Sequence, residues 1–356
     1  MSFKHPGNPC RDRIPHLLAF SIIHILWTLL PKFWVFLFIL SPAGCSSIDL
    51  ENDSSNIEST QDTTYPSTVA PSENFLDILT FNNDRLRRID SHQRICNFKD
   101  DIAYVESTGG NKIIFFCTNA RNRHDWIHAN SYGNLLETRA YLEKETRSNL
   151  TRTGECRTTA GDRNAKASLK PLVSEIAINT ISCNFSEASY RDKEINDVKA
   201  YLTNVSGTYP LAGDSMRNPE RIINHGSLSQ DDLKTFIEPD ILYSELCSKL
   251  NKEHLHPQVS FLCFPNSGNR NDIGNPPTRL VIEGKIDGKI FYWPIDINPP
   301  TNNTQGGIER GCRYSYDICI TRKGTTDPDN PINLCNNEIK LEIQPWKEKK
   351  EYGVHF

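Results

Sequence analysis

The chain of 356 residues lacks a surplus of charge of either sign: 40 Lys and Arg against 44 Asp and Glu leave a formal net charge of −4. Without a clustered basic excess there is no general field for holding nucleic acid, so no nucleic-acid partner is expected. Cysteine is too sparse for a disulfide scaffold, 11 residues or about 3% of the chain. Glycine and proline, 19 and 21 residues, sit near ordinary usage, which excludes collagen-like and wholly low-complexity chains. Signatures of chemistry are missing too. There is no P-loop, dinucleotide fingerprint, HExxH or GxSxG. No CxxC is present to start a zinc ribbon or a thioredoxin-like redox site. A hydrolase needs a nucleophile–base or paired-carboxylate constellation, and none is visible in the sequence. A non-catalytic protein without cofactor or metal is the expectation.

What is abundant is concentrated. Residues 14–40 form one apolar tract, preceded by Lys4, Arg11 and Arg13. The tract is long enough to cross a bilayer, but Pro31 and Lys32 divide it. Its second half, Lys32 followed by Phe33 to Leu40, has the charge and short apolar core of a secretory signal. Ser41-Pro42-Ala43-Gly44-Cys45 then places two small residues before a cysteine and resembles a bacterial lipobox, with Pro42 where that pattern has Leu. Small side chains admit the peptidase, and acyl chains on Cys45 would hold the protein at a membrane. The alternative is an uncleaved anchor helix with Cys45 as a juxtamembrane thiol. Residues 1–44 are therefore expected to direct export.

Residues 46–74 carry Asp49, Glu51, Asp53, Glu58, Asp62 and Glu73 with no Lys or Arg, an absence that continues to Arg85. Such a segment cannot bury enough surface to fold, and 45–74 is read as a flexible acidic tether. From Phe75 short strand patterns take over. Lys112–Cys117 is a continuous apolar run of buried-strand length. Ile176 and Ile178 alternate, as do Val198, Ala200 and Leu202. Residues 131–146, with Leu135, Leu136 and Leu142, make the best helix candidate. Leu280–Ile286 and Lys289–Ile297 flank Asp287-Gly288, a strong hairpin signal. The spacing predicts a mainly β protein of sandwiches with one or two short helices. A Gly-, Pro- and Asn-rich stretch at 207–226 sets the expected boundary, giving domains 75–210 and 211–356.

His254-Leu255-His256 puts two imidazoles on one strand face, but no third ligand has a metal spacing. Asp100-Asp101 and Asp327-Pro328-Asp329 are of a kind that hard cations favour, yet both stand where turns use Asp anyway. Cys117 and Cys263 lie in apolar strands and read as small core residues. Cys312 and Cys319 are roughly 23 Å apart at strand rise, too far for a mutual disulfide. Asn-x-Ser/Thr occurs at Asn52, Asn149, Asn184, Asn204 and Asn302, chance occurrences in a bacterial lipoprotein and glycan sites in a eukaryotic one.

The C-terminus carries the most suggestive pattern. Ile339, Leu341 and Ile343 alternate with polar residues, a charged stretch follows, and Tyr352, Val354 and Phe356 alternate to the last residue. These form a candidate edge or donor strand: one closing its own sheet, or one lent to another subunit, where main-chain bonds give affinity and alternate side chains give specificity.

The segments LDILTFNNDRLRRIDSHQRI (76–95), NLTRTGEC (149–156), VKAYLTNVSGTYPL (198–211) and GIERGCRYSYDICITRKGTTDPD (307–329) resemble Bacteroides-type fimbrillins, most closely the lipoprotein anchor and minor accessory subunits of fimbriae. The resemblance implies two tandem transthyretin-like β-sandwich domains. It further implies export as an outer-membrane lipoprotein lipidated at Cys45, and a surface fimbria whose other subunits are the partners. In that family stalk subunits are cut by a trypsin-like protease after a basic residue near the mature N-terminus, which removes a strand and opens a groove. Anchors keep their lipid and are not cut. The lack of Lys and Arg from 46 to 84 fits the anchor, whereas the terminal strands leave a tip or stalk role open. A surface glycan-binding lipoprotein with host or bacterial surface ligands fits the same architecture and is the reading from another class. An exposed aromatic platform on a sheet face would favour it.

Overall fold

The computed structural model describes residues 75–96, 102–119, 126–213, 218–267, 274–300, 306–330, 332, 339–345 and 350–355. All belong to one compact unit, Ser67–Phe356. The chain is mainly β. In order, β1 (Phe75–Asn82), β2 (Ile89–Cys96), β3 (Ile102–Tyr104) and β4 (Lys112–Thr118) are followed by α1 (Tyr132–Glu137) and β5 (Arg139–Tyr141). Then come β6 (Arg152–Thr158), β7 (Asn164–Pro171), β8 (Ser174–Cys183) and β9 (Ile195–Thr203). Three short strands, β10 (Val205–Ser206), β11 (Thr208–Pro210) and β12 (Ile222–Ile223), and α2 (Gln230–Leu233) lead onward. The last strands are β13 (Tyr243–Leu250), β14 (Val259–Cys263), β15 (Arg279–Ile286), β16 (Lys289–Asp296), β17 (Cys312–Ile320), β18 (Ile339–Pro345) and β19 (Lys350–His355).

Seven strands form one sheet in the order β2-β1-β4-β6-β7-β19-β3. Its two ends meet: Ile95 of β2 and Ala103 of β3 pack on one apolar cluster with Leu76, Ile78, Ile114, Phe116, Ala167 and Leu169. The sheet thus curls over on itself. Its other face sends Leu79, Phe81, Ile113 and Phe115 into a second, larger core shared with Trp126, Tyr132 and Leu135. This explains why β1 and β4 are apolar on both faces, which an alternating surface strand would not be.

Two four-stranded sheets, β14-β8-β17-β18 and β13-β9-β15-β16, make the second sandwich. Ile176, Ile178, Tyr314 and Tyr316 from one and Ala200, Leu202, Ile282 and Trp293 from the other share a single core. Cys117 and Cys263 are core residues, both at 0% exposure. The β15–β16 hairpin turns where expected, with Asp287 and Gly288 both at positive φ, 50° and 78°, as a tight two-residue turn requires.

Two expectations meet a different geometry. The helix expected over 131–146 spans only Tyr132–Glu137, started by Ser131, whose Oγ accepts from the Asn134 N–H. Beyond it, Arg139–Tyr141 pair with Thr208–Pro210 as strand, so tertiary pairing overrides the leucine spacing. The sheets also ignore residue 210. β8 and β9 precede it, yet pair with β14 and β17 and with β13 and β15, which follow it. A cut there separates strands that share sheets. The Gly- and Pro-rich composition marks turns.

Candidate functional site

The C-terminal strands go to two different places. β18 is an edge strand: Ile339, Leu341 and Ile343 lie opposite Ile318, Tyr316 and Tyr314 of β17. Ile339 and Leu341 pack against the larger core, and Ile343 is 46% exposed. β19 leaves that sandwich and enters the seven-stranded sheet between β7 and β3. Tyr352 and Val354 stand opposite Ala167 and Ala165 in an antiparallel register with β7. Val354 also pairs with Ala103 in a parallel register with β3. Phe356 and Cys45 lie outside the described residues.

The seat for β19 is built by its neighbours. β7 pairs with β6 only at Lys170 and Pro171, which leaves Asn164–Leu169 open to another partner. Ala103, Ala165 and Ala167 line the cluster beneath, small side chains that leave room above them. β6 and β7 approach very closely at Gly154, where an added Cβ would lie 2.4 Å from the Ser168 carbonyl oxygen. Gly154→Val is expected to displace β7 and cost about 1–3 kcal/mol by overpacking, measured as a lowered denaturation midpoint. Arg310, in the loop before β17, closes the base of the seat. Its Nε donates to the Pro171 carbonyl at 2.9 Å, and Nη2 donates to the Thr153 and Lys170 carbonyls at 2.8 and 2.7 Å.

Two buried polar networks hold the strands that face this seat. Asp77, fully buried on β1, accepts from Arg94 Nε at 2.7 Å and Nη2 at 2.9 Å, and pairs with His92 Nε2 at 3.0 Å. Burial alone would raise its carboxyl pKa, but the hydrogen bonds from His92 and Arg94 outweigh that and lower it. Lys112, 2% exposed, donates to Asn82 Oδ1 at 2.6 Å and Thr108 Oγ1 at 2.8 Å, and lies 3.0 Å from Asp90 Oδ2. Neither network was readable in the sequence. The available signal was an acid inside an apolar strand with basic residues on the next one.

The other sequence candidates fall apart as sites. His254 and His256 are exposed, and no group of three or more metal-ligating side chains gathers among the described residues. Asp329 is engaged by Arg279 and by Asn204 Nδ2, and Asp100-Asp101 lie outside the described residues. Asn204 is 2% exposed and so bonded, closed to a glycan. The described cysteines other than Cys117 are free thiols; burial pushes Cys156 up to about 11 and Cys183 up to about 12, far from reactive thiolates.

No protein-family profile and no curated protein matches this sequence. Solved structures do. A fimbrilin (FimA) from Porphyromonas gingivalis superposes with a TM-score of 0.54 at 15% identity, covering 81% of this chain and 95% of its own. The chain has the fimbrillin fold. A Parabacteroides distasonis structure assigned to cell adhesion matches at TM-score 0.50 and 12% identity, covering 82% of this chain and 93% of its own. The fimbrial anchor protein Mfa2 of Porphyromonas gingivalis matches at TM-score 0.40 and 9% identity, covering 78% of this chain and 91% of its own; at that distance it carries no argument about anchoring. Within this fold, β19 pairs with β7, whose residues lie more than half the chain length away.

Proposed function

We propose that the protein is a non-catalytic fimbrial subunit of the cell surface, a membrane-anchoring minor subunit that joins its neighbours by strand exchange. The observation that carries this reading is the position of β19. A segment of six residues, Lys350–His355, completes the first sheet from outside its own sandwich, between β7 and β3. A strand that enters a sheet from a distant part of one chain can be supplied equally by another copy or another subunit, since the main-chain bonds are the same. In the assembled fimbria β19 seats in a neighbour's sheet, and the neighbour's strand fills this one.

Anchoring rests on Cys45 as the lipidated first residue of the mature protein in the outer membrane, with 46–74 joining it to the folded unit. The first basic residues beyond Cys45 are Arg85, Arg87 and Arg88. They are exposed in the loop after β1. A cut there would detach β1, whose Leu76, Ile78, Leu79 and Phe81 are all at 0% exposure between β2 and β4. Losing so buried a strand without a replacement would open both cores, which favours an uncut role.

Mass spectrometry of the mature N-terminus tests the assignment. A diacyl or triacyl Cys45 and an intact 85–88 loop are expected, with Cys45→Ala releasing the protein from membranes. A native chain beginning after Arg85, Arg87 or Arg88 would make it a stalk or tip subunit. An uncleaved N-terminus would make residues 14–40 a true anchor helix.

A further inference from the structure

We propose that the open edge of β18 pairs with the same edge of a second copy of this chain, antiparallel and across a two-fold axis at Leu341. This goes beyond the fimbrial reading and does not rest on it, since β19 seats in the seven-stranded sheet and β18 borders a different one. Among the described residues β18 pairs with β17 alone, on one side. Its other side presents main-chain donors and acceptors that no strand among those residues takes up. Such an edge is a template for a further strand.

The residues of β18 say which strand fits. Ile339 and Leu341 pack on the larger core, so Lys340 and Glu342 take the opposite face by alternation, and both are exposed. Ile343, on the apolar face, is left 46% exposed. Centred on Leu341, an antiparallel pair of β18 strands sets Lys340 opposite Glu342 of the second copy, and Glu342 opposite its Lys340. Ile339 and Ile343 meet in the same reciprocal way, so each exposed Ile343 gains an apolar neighbour. Opposite charges and branched apolar side chains directly across a ladder stabilise it. Within its own sheet Lys340 lies opposite Asp317 and Glu342 opposite Ser315. The row across the junction therefore reads acid, base, acid, with no like charges adjacent.

Other registers of two copies lose this match. A shift of one residue sets Lys340 against an apolar side chain and turns the faces over. A shift of two residues brings Lys340 against Lys340, or Glu342 against Glu342, and like charges directly opposite are destabilising. Parallel pairing in register does both at once. A staggered parallel pair keeps one ion pair in place of two and gives up closed symmetry. Charge on an edge strand ordinarily blocks pairing; here its spacing blocks the wrong registers and leaves the self-complementary one. A ladder of this length buries less than an obligate interface, so the dimer should form and part with concentration.

Sedimentation of the purified full chain under reducing conditions, over a concentration series, tests this. The parent is expected to pass reversibly from monomer to dimer. Lys340→Glu and Glu342→Lys each put like charges opposite each other on both sides of the axis, and each should weaken self-association about tenfold or more. Mixing the two single variants is expected to restore association as a heterodimer. The double variant Lys340→Glu/Glu342→Lys should restore it within one sequence. Both positions are exposed, so unchanged thermal midpoints are expected, and the rescue by mixing separates a broken contact from a damaged fold. Exchange through β19 would be indifferent to these swaps, so the two readings fail separately. A parent that stays monomeric, association unmoved by either single swap, or no rescue in the mixture overturns the pairing.

Discussion

Arg94→Ala is expected to cost about 3–5 kcal/mol of stability, because it takes the two-pronged guanidinium partner from the fully buried Asp77 carboxylate. The asymmetry within the pair decides which variant suffers more. Arg94 and His92 are each about one-third exposed and can turn to water, whereas Asp77 at 0% cannot. Asp77→Asn should therefore cost less than Arg94→Ala, although it removes the same ion pair. Urea denaturation of both variants measures the order, and an equal or reversed cost would refute this account. The pH dependence follows from direction. The lowered pKa of Asp77 means its contribution is present above the ordinary carboxyl value, about 3.9, and is lost as pH falls through the lower folded value. Without Arg94 burial still raises the carboxyl while only the hydrogen bonds from His92 and Trp126 remain to lower it, so the variant holds its carboxylate less strongly than the parent. The gap between Arg94→Ala and the parent should be full near pH 7 and narrow as pH falls through the ordinary carboxyl value, about 3.9, and below.

Ending the chain after Pro345 is the second large effect. It removes β19 and leaves Asn164–Leu169 of β7 and Ile102–Tyr104 of β3 without their shared partner. At about 0.5–1.5 kcal/mol net per hydrogen bond, six paired positions with β7 place the loss on the order of 3–9 kcal/mol, before any exposure of the cluster beneath. The shortened chain should melt earlier and bind a hydrophobic dye, and a synthetic peptide of residues 346–356 should restore the midpoint in trans. Rescue by a separate peptide is the property strand exchange demands. An unchanged midpoint in the shortened chain would remove the basis for donation.

The parts of the fold legible in the sequence were local ones. Asp287-Gly288 announces its hairpin because both turn residues must take positive φ, and Lys112–Cys117 announces a strand buried on both faces. The apolar alternation of Val198–Leu202 likewise identifies β9. What stayed hidden depends on partners far along the chain. The leucines at 135, 136 and 142 suggest one long helix until Thr208–Pro210 supplies a strand partner for Arg139–Tyr141. Composition at 207–226 suggests a domain end because nothing local says that β8 will lie beside β17. For the candidate site, alternation at 339–343 and 352–356 marked two strands, but not that they would separate into different sheets.

The adjacency of β8 and β17 has a mechanical meaning. They are parallel, paired from Arg313 opposite Glu175 to Ile320 opposite Cys183. Traction entering where β7 leads into β8 and leaving where β17 leads toward β18 pulls the two strands along their length in opposite directions. Every bond between them then shares the load at once, instead of parting one after another as in a zipper. A subunit loaded along that path would resist stretching at the centre of its second sandwich.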